Sequence, residues 1–221
     1  MYLEKEPART AALLITITAL AAGSRAVYVG GTFTSLGGVR RVGLAALDAA
    51  TGRLLQWQAP PARGVALLAL SRSTLYFSGS RVGAVRTSDG GPTSFVPRAR
   101  IVDPIMLAVW GRFVLLGCSS RWSICEGDSG VFDGRTGKPV HKYGFGEVLS
   151  AGAVGFAGST AYLGTGAEGD FGGQNYLIAI DMRTGRFEPR WFPKVGYYAS
   201  ATSIAVSGDR VFAGGSFCPG R

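Results

Sequence analysis

Apolar residues along this 221-residue chain fall in short runs separated by Gly, Asp and Ser turn residues. In the clearest stretch, Val27–Val29 and Val42–Leu47 are strand-like runs, and a third, Leu54–Gln58, runs into Pro60. Short runs rich in β-branched and aromatic residues, each closed by turn chemistry, predict antiparallel strands. No window carries an apolar stripe at helical spacing with caps at its ends. The first unit therefore predicts four strands, near 17–22, 26–30, 42–48 and 54–58.

The pattern recurs, and a search for internal periods decides the architecture. An aromatic-rich strand with glycines appears at Val27–Gly31, Leu75–Gly79, Phe113–Gly117, Ala161–Thr165 and Val211–Gly215. Counted from Gly30, the spacings are 48, 38, 48 and 50 residues. A second marker, Asp-x-x-Thr-Gly, appears at Asp48–Gly52, Asp133–Gly137 and Asp181–Gly185, with a decayed copy at Thr87–Gly91. Its spacings of 39, 46 and 48 residues drift in step with the first. The repeat units lie at about 17–60, 61–100, 101–147, 150–195 and 200–221, the last stopping after two strand-like runs.

The turn marker has a physical reading. An Asp carboxylate accepts amide hydrogens two and three residues ahead, and the following Gly takes positive φ. Asp48, Asp133 and Asp181 therefore read as structural turn residues, not as an acidic catalytic set. Trp57 and Trp191 stand at repeat-equivalent places and read as packing between adjacent sheets.

Composition adds constraints. The 34 Gly follow no collagen period and mark turns and close backbone approach. No apolar run reaches the length of a membrane helix, so no transmembrane segment is expected. Net charge is +9, from 19 Arg and four Lys against 14 acidic residues. No basic block stands out, and the arginines are not interleaved with aromatics as in nucleic-acid modules. They read as scattered solvated charge, with electrostatic binding of polyanions as a minor reading.

The apolar stretch 11–22 resembles a signal-peptide core, but Glu4 and Glu6 offset Lys5 and Arg9. The repeat register assigns Ile17–Ala22 to a strand instead. Cys118 and Cys125 flank a short polar loop and form a candidate disulfide, which suits an exported protein; two unbridged thiols are the alternative. Cys218 is left over, and with a single histidine a zinc site is not expected.

Taken together, V-Y-V-G-G-x-F…G-G-x-x-R…L-A-A-L-D-x-x-T-G…W-x-x-P resembles the bacterial delta-sixty-type β-propeller repeat. The portion Ala46–Trp57 is similar to repeats of the pyrroloquinoline-quinone-dehydrogenase-like propellers. The match is good over 17–60, moderate over 154–193 and 200–217, and poor over 78–130. The resemblance implies an all-β fold: a β-propeller of four-stranded antiparallel blades, about four complete blades plus a half blade, incomplete or open. A fragment of a larger propeller is the preferred form. The cofactor does not carry over. The quinone-dependent enzymes use an adjacent Cys-Cys pair, which this chain lacks, so no cofactor is expected.

Candidate chemistry is sparse. His141 is the only histidine and reads as a surface or loop residue; no G-x-S-x-G elbow is present. Glu168, Asp170 and Asn175 offer oxygen ligands suited to Ca²⁺ but read as a solvated hairpin loop. The loop from Cys118 to Asp128 departs most from the repeat, so Arg121, Trp122, Glu126 and Asp128 are the candidate recognition residues. The expectation is a non-catalytic binding or scaffold module of an exported or cell-envelope protein, with a glycan, a protein or an envelope polymer as ligand. The alternative is an enzyme of hydrolase or lyase type with its site at the channel mouth.

Overall fold

The computed structural model describes residues 16–99, 101, 104–118, 129–143, 151–165, 177–191, 193 and 200–217. Among them every regular element is a β-strand. The first sheet holds β1 (Ile17–Ala22), β2 (Ala26–Gly31) and, after a small hairpin of β3 (Ser35–Leu36) and β4 (Val39–Arg40), β5 (Leu44–Asp48). The second holds β6 (Leu67–Ser71), β7 (Thr74–Ser78) and β8 (Val82–Arg86). The third is β9 (Pro104–Trp110), β10 (Phe113–Cys118), β11 (Ser129–Asp133) and β12 (Pro139–Tyr143). The fourth is β13 (Ala151–Ala157), β14 (Thr160–Thr165), β15 (Leu177–Asp181) and β16 (Arg186–Phe187). The fifth pairs β17 (Ser200–Ser207) with β18 (Arg210–Ser216).

All pairings are antiparallel and, apart from β2 with β5 across the β3–β4 hairpin, join sequence neighbours; each sheet packs on the next through its first strand: β1 on β6, β6 on β9, β9 on β13, β13 on β17. The sheets form a fan, with an apolar core at each of the first three junctions. Tyr28, Leu44, Trp57 and Leu75 fill the first; Tyr76, Phe95, Leu116 and Phe132 the second; Leu115, Val131, Leu163 and Ile178 belong to the third. Full burial of such side chains contributes about 1.5–3 kcal/mol each, and this holds the fan together.

One row explains how the sheets nest. The large residue of each second strand faces small or slender residues on both neighbours: Ala21, Tyr28, Ala46; then Ala69, Tyr76, Ala84; then Ala108, Leu115, Val131; then Gly155, Tyr162, Ala179. Small flanks let the ring lie over the sheet toward the following one. In the fifth sheet the row is Ala205, Phe212, and Phe212 is 55% exposed, whereas Tyr28 is 5% exposed.

The register corrects two sequence alignments by one residue. Asp48 pairs with Ala26, Asp181 with Thr160, and Asp133 with Phe113. Leu115, not Val114, is therefore the counterpart of Tyr28, and Gly117 that of Gly30. In the second sheet the turn amide Gly90 N–H donates to the Arg86 carbonyl, as Gly52 N–H does to Asp48. Arg86 thus stands in the Asp place. The marker is hidden in the sequence because the charge at this place is inverted: the Arg86 guanidinium bonds the Asp89 carboxylate at 2.9 Å.

The predicted fourth strands are complete in the third sheet and short in the fourth. In the first and second sheets they shrink to single bridges, Leu47 with Leu54 and Val85 with Pro92. Proline supplies a reason: Pro92 has no amide hydrogen, and Pro60-Pro61 turns the chain toward the next sheet. Before it does, Trp57 Nε1–H donates to the Arg86 carbonyl of the second sheet at 3.0 Å.

Candidate functional site

Hydroxyls on one sheet reach the turn of the next. The Tyr28 hydroxyl donates to the Thr87 carbonyl at 3.2 Å, and the Tyr76 hydroxyl to Gly134 at 3.1 Å. At the third junction the second strand has Leu115, and Tyr143 of the fourth strand takes over, donating to the Gly185 carbonyl at 2.8 Å. The same turns are closed from behind by the preceding sheet. A Cβ on Gly137 would run into the Val96 carbonyl, and one on Gly185 into His141; Gly52 of the first sheet faces open space. His141, edge-on to the Tyr143 ring, is thus a half-buried junction residue.

The three turn aspartates have the following partners. Asp48 Oδ1 accepts from the amides of Ala50 and Thr51 and from the Thr51 hydroxyl at 2.7 Å. Asp133 Oδ1 accepts the equivalent set from Arg135 and Thr136, and its Oδ2 pairs with Arg112 Nε at 3.2 Å. Asp181 Oδ1 accepts from the Arg183 amide at 2.8 Å. Bonds from the Thr51 hydroxyl and amide hold Asp48 below the usual carboxylate range. At Asp133 burial pushes upward, but the Thr136 hydroxyl, the two amides and Arg112 together bring it below that range.

The candidate site opens between the second and third sheets. It is a cleft of about 610 Å³ beside the β6–β7 turn, the β9–β10 turn and the turn after β11. Each turn contributes one arginine: Arg72, Arg112 and Arg135. Arg112 is held in place by Asp133 and by the Phe113 ring, 5.3 Å from its guanidinium carbon. Among the described residues the side chains of Arg72 and Arg135 have no hydrogen-bond partner. The floor includes the Tyr76 hydroxyl, whose acidity is weakened by burial and then by the Asp133 charge.

Hydroxyls line the rest. Ser71 Oγ donates to the Gly111 carbonyl at 2.6 Å and Ser94 Oγ to the Arg135 carbonyl at 2.8 Å, both across the junction. Thr93 Oγ1 donates to Ala84 at 3.2 Å. Ser71 and Ser94 have turned their protons inward and keep lone pairs to accept from a ligand, whereas Thr93 Oγ1 already accepts from the Phe95 amide at 3.2 Å. A cleft of this size suits a small ligand or a few units of a polymer.

Sequence reasoning did not find this site, because its residues come from three turns of two repeats. The residues it did nominate, Arg121, Trp122, Glu126 and Asp128, lie outside the described residues, as do Cys125, Cys218, Glu168, Asp170 and Asn175. Cys118 ends β10, and its candidate partner is not among the described residues. Among those residues, no group of three or more His, Cys, Asp or Glu is placed to hold a metal ion, and no helix is long and apolar enough to cross a membrane.

No protein-family model matches the chain, and no curated protein matches it. Solved structures do. A chain of the mitotic checkpoint complex aligns with a TM-score of 0.67 at 13% identity, over 92% of this chain and 58% of that one. The extracellular domain of BT4673 from B. thetaiotaomicron aligns at 0.58 and 15% identity, over 90% of this chain and 25% of that one. The computationally designed Ika8 protein aligns at 0.57 and 15%, over 91% and 68%. The fold is of β-propeller type. Identities this low carry the fold alone, and the propeller's function must be argued from its own site.

Proposed function

We propose that this propeller is a non-catalytic binding module of an exported or cell-envelope protein, built on delta-sixty-type repeats, and that it holds a glycan or envelope polymer in the cleft between its second and third sheets. The observation that carries the reading is the cleft itself. Three arginines and a set of inward-donating hydroxyls face one concavity whose walls are rigid strand ends and turns. The turn aspartates are engaged by their own amides, hydroxyls and arginines, as building parts of the sheets are. The repeat markers support the delta-sixty assignment, and the extracellular domain among the structural neighbours fits an exported setting.

The test is a binding screen of the whole chain against immobilised glycans and envelope polymers, with a release assay on the same polymers. Retention without release of shorter products supports the module. Steady release of shorter products would replace it with the hydrolase or lyase reading.

A further inference from the structure

Arg72 is the one non-glycine residue with positive φ among the described residues, at 43°. It occupies the first position of the two-residue turn between β6 and β7, where Ser71 pairs with Thr74. The third, fourth and fifth sheets make the same turn after pairs Trp110–Phe113, Ala157–Thr160 and Ser207–Arg210. In those three the equivalent residue is a glycine, Gly111, Gly158 or Gly208, at φ between 53° and 60°. The left-handed conformation is costly for a side chain and free for glycine. Of these four turns only the β6–β7 turn carries the costly residue, and that residue is a cation lining the cleft, which the β9–β10 turn, with Gly111, also borders. Strain kept at one place in a repeated structure points to a role for the side chain there.

From this we infer that the cleft is an oxyanion site for an acidic polysaccharide, with Arg72 and Arg135 as its ligand-binding cations. This rests on the binding-module reading above and names its ligand class. Arg112 has spent one edge of its guanidinium on Asp133, so it orients the wall and adds charge. These two arginines, whose side chains have no hydrogen-bond partner among the described residues, supply paired N–H donors of the kind that match carboxylate and sulfate oxygens. Ser71 and Ser94, having donated inward, accept from sugar hydroxyls. Nucleic acid fits less well: the aromatic ring at the cleft, Tyr76, is 4% exposed and offers no face for base stacking.

The test compares the wild-type chain with Arg72→Gly, Arg135→Glu and, as a charge control remote from the cleft, Arg25→Glu. Binding of a short oligogalacturonate (carboxylate), a sulfated dextran oligomer, neutral dextran and single-stranded DNA is measured by calorimetry at low and high salt. The expected result is binding of one or both acidic sugars, weakened several-fold by about 0.5 M salt. Their ranking tells carboxylate from sulfate recognition. Arg72→Gly and Arg135→Glu each lose about tenfold, on the scale of one charged hydrogen bond, and Arg25→Glu loses about twofold or less. Arg72→Gly also melts about 2–4 °C higher than wild type, because strain is relieved while affinity falls. A folded variant that binds less well while melting higher cannot owe its loss to unfolding. The proposal is overturned if neither acidic sugar binds, if DNA binds more tightly than both, or if Arg25→Glu weakens binding as much as the cleft variants. Binding of neutral dextran, unaffected by salt or by Arg72, overturns the oxyanion site while leaving the binding module standing.

Discussion

At the scale of single residues, the sheets are joined by a few specific contacts at turns. Tyr76 gives its hydroxyl proton to the Gly134 carbonyl across a junction. Tyr76→Phe leaves that carbonyl without its donor and is expected to cost about 1–3 kcal/mol in urea unfolding. Burial, reinforced by Asp133, raises the phenol above its ordinary value. A raised folded pKa contributes stability that is whole below the unfolded value of about 10 and is lost as pH rises through the folded one. The difference between wild type and Tyr76→Phe should therefore shrink from about pH 9 upward; a constant difference would contradict this origin. The turn glycines offer a second comparison. Gly52 and Gly137 have φ of 70° and 68°, yet only Gly137 lies against the preceding sheet. Gly52→Ala should cost about 1–2 kcal/mol for φ alone. Gly137→Ala should cost about 1–3 kcal/mol more, because the Val96 carbonyl must move. Equal losses on thermal melting would mean that the close approach has no energetic weight.

At the scale of elements, each second strand carries a large residue between small ones, and the turns after the third strands of the second, third and fourth sheets are gripped by the preceding sheet. The Tyr28–Trp57, Tyr76–Phe95 and Tyr162–Trp191 pairs repeat this at ring-centroid distances of 5.4, 5.1 and 4.7 Å, all edge to face. The strands and their order were legible in the sequence because period-two runs and turn residues are local signals. The fourth strands were less legible: whether Leu54–Gln58 pairs with its own sheet or crosses to the next depends on a partner outside its repeat. The second-sheet turn is not legible in the sequence because Arg86 donates to Asp89 where, in the first sheet, Asp48 accepts from the neutral Thr51 hydroxyl.

At the scale of the whole molecule, a fan of repeated sheets has two outer faces. On the first, Leu20 is 64% exposed, while its counterpart Leu68 packs against the first sheet. On the last, Phe212 takes the place that Tyr28 and Tyr76 fill at internal junctions. Both are exposed apolar positions of the kind that pack at internal junctions, and such complementary patches associate head to tail. The 221-residue chain is expected to self-associate in sedimentation velocity as concentration rises, and Phe212→Ser to reduce this. Sedimentation of the wild type as a monomer up to about 0.1 mM would contradict the expectation. The scattered arginines illustrate the same scale. Read in sequence they are a diffuse +9; in space Arg72, Arg112 and Arg135 share one cleft.

The sequence by itself determined the β class, the repeat and the propeller type, because period-two apolar runs, turn residues and their recurrence are encoded locally. Only the tertiary structure decided the one-residue register of the third strand set, the shortening of the first two fourth strands and the cleft. Register is set by cross-strand pairing, and the cleft by turns from two repeats that meet after the sheets have packed. The strain at Arg72 belongs to both levels. The arginine is plain in the sequence, and its cost appears only when the backbone turns left-handed in the place where three other sheets put glycine.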